Sequence, residues 1–251
     1  MSLLSYLERA AIAGIAVLCL AGAACAAGSP SADHDPWEGF NRAVFRFNDT
    51  IDTHALEPAA RAWHAALPDP AERAVGRFFD NLRAPLDVAN NLLQGKVEGA
   101  LAALGRFFIN STLGGAGFLD PATHAGLVSQ REDFGQTLAR WGVGSGPYLV
   151  LPFLGPSTVR DAAGMVPDAF GHPWTYFVDS WVVAAAGGIY TLNTRASLLD
   201  QVARTKRTAL DYYAAVRNAY LQHRQAEIAD RPEEARQEEE DLYYIDFDDE
   251  E

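Results

Sequence analysis

Cysteine is almost absent from this 251-residue chain: Cys19 and Cys25 are the whole complement. Downstream of them a disulfide framework and a thiolate metal site are excluded. Lysine is as scarce, with only Lys96 and Lys206, and neither follows a glycine loop that could grip a nucleotide phosphate. The histidines His34, His54, His64, His124, His172 and His223 are scattered, with no HExxH or other paired spacing, so no metal set is expected. A nucleophile elbow is missing too: Gly155-Pro156-Ser157 lacks its second glycine, and Gly144-Ser145-Gly146 runs into Pro147. Gly142, Gly144 and Gly146 have no strand-helix-strand unit around them and do not form a dinucleotide fingerprint. Glu132 and Asp133 are neighbours on a turn and point apart, which suits capping better than acid–base work. The residues make no case for an enzyme, a cofactor or a metal. Strand-like alternation is nearly absent outside Tyr148–Leu151, so the expected fold is all-α.

Positive charge is also in short supply. Twenty bases face 33 acids, but residues 226–251 hold 13 of those acids and two of the bases, a net of −11. The rest of the chain carries −13 + 11 = −2 and is nearly neutral. No basic footprint for nucleic acid exists. The acidic stretch, with Tyr243-Tyr244-Ile245 and Phe247 inside it, is expected to be a disordered, solvated tail, with a docking peptide as the alternative.

At the other end, Arg9 precedes a run of small and aliphatic residues over Ala10–Ala27, the pattern of a secretory signal peptide over residues 1–26. Two cleavages compete. Gly22-Ala23-Ala24-Cys25 resembles a lipoprotein box, with cleavage before Cys25 and lipidation of that residue. Ala24-Cys25-Ala26 permits ordinary cleavage after Ala26. A cysteine at this point has no other use, which favours lipidation. The folded domain is expected over residues 33–225.

Within it, Asp35-Pro36-Trp37-Glu38 reads as a helix start. Trp37, Phe40, Val44, Phe47 and Ile51 then fall on one stripe at spacings of 3, 4, 3 and 4. An aromatic stripe of this kind suits either a core-facing helix or one lying in a lipid interface. Leu67-Pro68-Asp69-Pro70 breaks the chain, and Arg83-Ala84-Pro85 is expected to break it again. Helical spacing resumes from Leu86 to Leu113, with a bend where Gly95, Gly99 and Gly105 intervene. Short capped turns are expected at Asp120-Pro121 and from Asp133 to Arg140, and Ser157 as a cap before Val159. Residues 173–193 are very apolar but too short and broken for a confident membrane span. Residues 195–225 read as one continuous helix. Between these helices, Trp141 to Ser157 combines four glycines and three prolines with a greasy run, a shaped loop or small hairpin near 142–156.

Several segments together carry a family resemblance: Asp35-Pro36-Trp37-Glu38-Gly39-Phe40-Asn41-Arg42 with Phe45, Phe47 and Asn48; Gly105-Arg106-Phe107-Phe108-Ile109-Asn110-Ser111-Thr112-Leu113-Gly114-Gly115; Glu132-Asp133-Phe134-Gly135-Gln136-Thr137; Gly142 to Tyr148; and Leu151 to Ser157 with Arg160-Asp161. In this order the chain resembles the MlaA/VacJ family of outer-membrane lipoproteins, from about Asp35 to Tyr220. The resemblance implies a ring of amphipathic helices in the inner leaflet of the outer membrane, around a central channel. Such a ring passes phospholipids misplaced in the outer leaflet to a periplasmic lipid carrier, and a trimeric outer-membrane porin holds it. It is a conduit, not an enzyme; the alternative is a docking lipoprotein that scaffolds partners. On this reading Gly142, Gly144, Gly146, Pro147, Tyr148, Leu149, Leu151 and Phe153 line or gate the channel, unless the loop is a rigid structural turn. The Trp37–Ile51 stripe faces lipid, and Arg42, Arg106 and Arg160 are candidates to meet headgroup phosphate, because a guanidinium pairs with phosphate in a fork, with a structural ion-pair role as the alternative for each.

Overall fold

The computed structural model describes residues 35–230. The signal peptide, Cys25 and all but the first residues of the acidic tail lie outside the described residues. Helix α1 spans Glu38–Ile51 and runs through a π-helical stretch, Asp52–Leu56, into α2, Glu57–Ala66. Helices α3 (Asp69–Leu93) and α4 (Val97–Thr112) form an antiparallel pair, followed by the short α5 (Pro121–His124) and α6 (Phe134–Arg140). Strands β1 (Tyr148–Leu151) and β2 (Gly155–Thr158) make one antiparallel hairpin, in the register Tyr148 to Thr158 and Leu151 to Gly155. Then come α7 (Val159–Gly171), α8 (Trp174–Phe177), α9 (Ser180–Ser197), α10 (Leu199–Thr208) and α11 (Tyr212–Ile228).

The packing closes a circuit. α1 lies on β1, β2 on α11, α11 on α6, α6 on α3, α3 on α9, and α9 on α2, which the π-helical stretch joins back to α1. The fold is a helical ring with one small hairpin.

Three expected boundaries move. Pro85 lies inside α3 and does not end it. A proline removes one helical donor, but Trp174 Nε1 donates to Leu82 O in that turn at 2.7 Å, and α3 packs on α4, α6 and α9. The chain breaks instead at Gly95, whose φ of +77° suits glycine. Thr158, not Ser157, caps α7 by accepting from Asp161 N at 3.2 Å, while Ser157 belongs to β2. The expected continuous helix 195–225 is three helices. Asp211 accepts from Ala214 N at 3.2 Å and restarts the chain as α11, and the same carboxylate pairs with Arg42 of the adjoining α1.

Polarity is inverted relative to an ordinary globule. Among the described residues, 17 buried side chains are polar or charged and 12 are hydrophobic, seven of the twelve being alanine. Large apolar residues lie outside instead. On α4 the stripe Val97, Leu101, Leu104 and Phe108 faces outward, while Ala100, Ala103 and Asn110 face in. Phe177 and Trp181, around the start of α9, are 85% and 70% exposed. Aqueous surfaces seldom carry such a belt, since each exposed apolar Å² costs on the order of 25 cal/mol in water.

Candidate functional site

The hairpin is fastened to α1 by two asparagines one heptad apart. Asn41 Nδ2 donates to Tyr148 O at 3.0 Å, and its Oδ1 accepts from Val150 N at 2.9 Å. Asn48 repeats the pattern on Leu151 O and Phe153 N, both at 2.9 Å. Each side-chain amide thus stands in for a residue of a third strand. Tyr148 and Val150 are fully buried with Tyr213, and Val44 and Phe45 pack on that cluster. The expectation that Tyr148 lines a channel is therefore corrected: its ring is core, and burial pushes its hydroxyl pKa up. Gly142 and Gly146 have φ of +89° and +65°, as tight turns require, whereas Gly144 does not. Leu149 and Leu151 are half-buried, and Pro147 O accepts from Val159 N.

The hairpin tip is different. Phe153 is 75% exposed and Leu154 68%. With Gly155 and Pro156 they line a cavity of about 870 Å³ whose other walls are α1, the π-helical stretch, α9 and α11. Ile51, Leu56 and Val216 make it apolar, while Asn48, Asp52 and Arg195 give it one polar side. Arg195 is bidentate on Asp52, at 2.7 and 3.0 Å, yet its Nη1 is buried without a partner. Of the aromatic stripe, Trp37, Phe40 and Phe47 are exposed; Val44 packs on the core and Ile51 on this cavity.

α9 is shared with a second cavity of about 590 Å³, lined by five charged side chains of α3, by Arg131, by Asp200 of α10 and by polar residues of α9. Tyr190, Asn193, Thr194 and Ser197 face this one, and Thr191, Arg195 and Leu198 the apolar one. The 3–4 spacing within each set puts the two cavities on adjacent faces of one helix.

The Glu132–Thr137 segment is a structural junction. Asp133 caps α6 by accepting from Gln136 N at 2.8 Å and takes both arms of Arg224, at 2.6 and 2.7 Å. Arg224 also reaches Asp161 at 3.0 Å, and Tyr220 and Thr158 donate to the other oxygen of Asp161, each at 2.8 Å. Burial raises the pKa of both carboxyls, but the arginine overrides it and holds them below the ordinary range. Gly135 is required here: a Cβ would come within 2.6 Å of Arg224 and Asp161. Glu132, fully buried, takes Lys96 at 3.0 Å and Gln94 at 2.8 Å.

The three candidate headgroup arginines have internal partners. Arg42 bridges Glu38 and Asp211 and lies 4.4 Å over the Tyr213 ring. Arg160 pairs with Asp161 in the interior. Arg106 pairs with Asp120 at 2.8 Å and borders a polar cavity of about 200 Å³. Sequence reasoning missed the arginines without a partner on α3, Arg73 and Arg77, because no motif marks them. Their signal was the i, i+4 spacing of two arginines beside Glu72. No group of three or more metal-ligating side chains converges among the described residues. No described helix is long and apolar enough to cross a membrane.

An apolar outer belt, a polar interior and two adjoining cavities define a helical ring with an apolar exterior. The chain belongs to the MlaA lipoprotein family, whose model matches residues 33–227. It is 38% identical over 211 residues to the intermembrane phospholipid transport system lipoprotein MlaA of Escherichia coli (strain K12), covering 81% of this chain and 82% of that protein. The protein of the same description from Haemophilus influenzae is 34% identical over 202 residues, covering 78% and 80%. A solved structure described as the structural basis for maintenance of bacterial outer membrane lipid asymmetry superposes with a TM-score of 0.69 at 36% identity. It covers 78% of this chain and 99% of the other.

Proposed function

We propose that this chain is a non-enzymatic phospholipid conduit of the outer membrane, lodged in its inner leaflet on the periplasmic side and anchored through Cys25. It passes phospholipids misplaced in the outer leaflet to a soluble periplasmic carrier, and a trimeric porin holds it in place. Two described relatives, from Escherichia coli and Haemophilus influenzae, are named as lipoproteins of intermembrane phospholipid transport. The observation that carries the reading is the inverted polarity. A ring with Phe177, Trp181, Leu101 and Phe108 outside is stable where acyl chains replace water. On this reading the ring lies within one leaflet, and no described helix is long and apolar enough to cross a membrane.

The conduit needs an apolar path for tails beside polar points for headgroups, and the adjoining cavities on α9 supply both kinds of wall. Phe153 and Leu154 at the hairpin tip, with Leu149 and Leu151 behind them, border the apolar path. Gly142, Gly146 and Pro147 shape the approach to it. Trp37, Phe40 and Phe47 meet surrounding lipid, and Arg42 and Arg160 hold the frame.

The test is a deletion strain complemented with wild-type chain or with Ala59→Trp, which fills the apolar cavity from α2. Deletion is expected to raise outer-leaflet phospholipid and detergent sensitivity; wild type restores both, and the tryptophan variant binds porin yet restores neither. Full rescue by a variant that blocks the cavity would favour a scaffold that docks partners without conducting lipid.

A further inference from the structure

The charged cavity beside α3 contains a pattern that the conduit reading does not use. Arg73 and Arg77 are one helical turn apart, line it together, and are exposed. Neither guanidinium has a hydrogen-bond or ion-pair partner among the described residues. Arg131, in the same wall, is taken by Asp80. Glu72 precedes Arg73 and is 5% exposed; Nδ1 of His64 reaches its Oε2 at 2.8 Å, while Oε1 is buried with no partner. A buried carboxylate oxygen without a donor costs about 1–3 kcal/mol or more, so the site is incomplete as it stands.

The cavity therefore offers two arginines without a partner and, on the same helix, one buried carboxylate oxygen without a donor; the carboxylates of Asp69 and Asp200 also line it but are exposed to solvent. An anionic ligand alone would satisfy the arginines but leave Glu72 bare, and would be repelled by it. A cation alone would do the reverse. A ligand with phosphate and a hydrogen-bonding ammonium on one short arm satisfies both. A quaternary ammonium carries charge but no N–H, so it cannot donate to Oε1. The volume of about 590 Å³ is that of a small-ligand site.

We propose that this cavity is a headgroup-selective site for ethanolamine phospholipids: Arg73 and Arg77 fork onto the phosphate, and the primary ammonium donates to Glu72. The site rests on the conduit reading and adds a filter to it, placed across α9 from the wall that takes the tails. Selectivity arises from the unpaired oxygen, since the arginines grip any phosphodiester alike.

The full mature chain, delipidated in detergent, is reloaded from vesicles of equal parts ethanolamine, choline and glycerol phospholipid, and the bound lipid is counted by native mass spectrometry. Wild type is expected to hold the ethanolamine lipid in excess by about tenfold. R73A/R77A lowers total occupancy by about tenfold with an unchanged helical spectrum, and R73Q and R77Q each give part of that loss. E72Q keeps occupancy but brings the ethanolamine-to-choline ratio close to one, while H64A, which removes only the Oε2 partner, keeps the preference. Inorganic phosphate at millimolar concentration should not displace the lipid; displacement would identify a free-phosphate site instead. Unchanged occupancy in R73A/R77A, or no headgroup preference in wild type, overturns the proposal while leaving the conduit standing. If wild type takes up no phospholipid at all, the conduit reading falls with it.

Discussion

Asn48 accepts the backbone N–H of Phe153 at 2.9 Å, and Phe153 sits there in the left-handed region at φ +64°. A bulky residue adopts that conformation only where its surroundings over-determine it. Here the amide holds the backbone, and the Phe47 ring meets the Phe153 ring edge-on at 5.4 Å. The hairpin tip is thus a fixed apolar projection into the cavity. Asn41 does the same work deeper in the fold, fully buried between two backbone groups. Asn41→Ala strands both groups, and the expected loss is about 2–4 kcal/mol. Asn48→Ala strands groups nearer solvent and should cost about 1 kcal/mol or less. Denaturant titration of the two variants checks the order; equal losses would contradict the strand-mimic role given to Asn41.

Arg224 bridges Asp133 and Asp161 and also reaches Glu227 at 2.9 Å, while Arg160 is a second cation on Asp161 alone. Replacing a buried partner leaves uncompensated charge, so Arg224→Met should destabilise by about 3–5 kcal/mol. Adding Asp161→Asn removes one of the bare charges and should recover part of the loss. Melting temperatures of the wild type, both singles and the double measure the coupling, and strict additivity would show that the two side chains act independently.

Two kinds of glycine can be told apart by alanine. A Cβ on Gly164 would lie 2.5 Å from Gly135 N, where α6 and α7 touch backbone to backbone. Gly164→Ala should abolish folding or cost several kcal/mol, by overpacking that no rotamer relieves. A Cβ on Gly187 or Gly188 in α9 meets nothing within 4 Å. Gly187→Ala and Gly188→Ala should each stabilise by about 0.5–1 kcal/mol through helix propensity. Thermal melts read both, and a stable Gly164→Ala protein would refute the close contact.

The pH response has two opposed parts. Asp133 and Asp161 are held low by Arg224, and hydrogen bonds from Thr123, Arg106 and Asn110 overcome burial to hold Asp120 at about 2. Their stabilisation is complete above the unfolded carboxylate value near 4 and drains away as pH falls below it. Asp87 runs the other way: burial, only partly offset by Arg83, raises it to about 6. The folded state then keeps a proton that the unfolded chain releases, so stability falls as pH climbs from about 4 to about 6. Asp87→Asn should flatten that slope and gain on wild type by about 2 kcal/mol across the interval. Chemical denaturation at half-unit pH steps checks the sign; a parallel wild-type slope in the variant would rule Asp87 out.

The helical class, the hairpin and the caps at Asp120 and Asp133 were legible because each rests on local chemistry: period 3.6, glycine and proline at turns, a carboxylate before a helix. Which way a stripe faces is not local. Val97, Leu101, Leu104 and Phe108 have the spacing of a core face and lie outside, because Asn and Asp side chains fill the interior. At the break Ala209-Leu210-Asp211, the cap carboxylate is also paired with Arg42, 169 residues away, which no local pattern announces. For Arg42, Arg106 and Arg160 the sequence left a headgroup contact and a structural ion pair both open; Glu38, four residues before Arg42, and Asp161, next to Arg160, were partners within reach, whereas Asp211 is brought to Arg42 only by the fold. Arg73 and Arg77 looked ordinary, since only the folded chain shows that nothing pairs with them.

The apolar belt makes the last prediction. Phe177 and Trp181 project from the α8–α9 corner at 85% and 70% exposure, with Tyr176 and Val178 beside them. Aromatic side chains at such a corner anchor a monotopic protein by moving their rings out of water. Phe177→Ser with Trp181→Ser should lower vesicle partitioning of the mature, Cys25→Ser chain by roughly a hundredfold, from about 3 kcal/mol of lost transfer energy. The folded core should be untouched, since neither ring is buried. Sedimentation with liposomes measures the partition, and the circular dichroism melt serves as control. Full membrane binding by the double variant would mean that this corner faces water or a protein neighbour, and the outer face of α4 would then have to carry the contact with lipid.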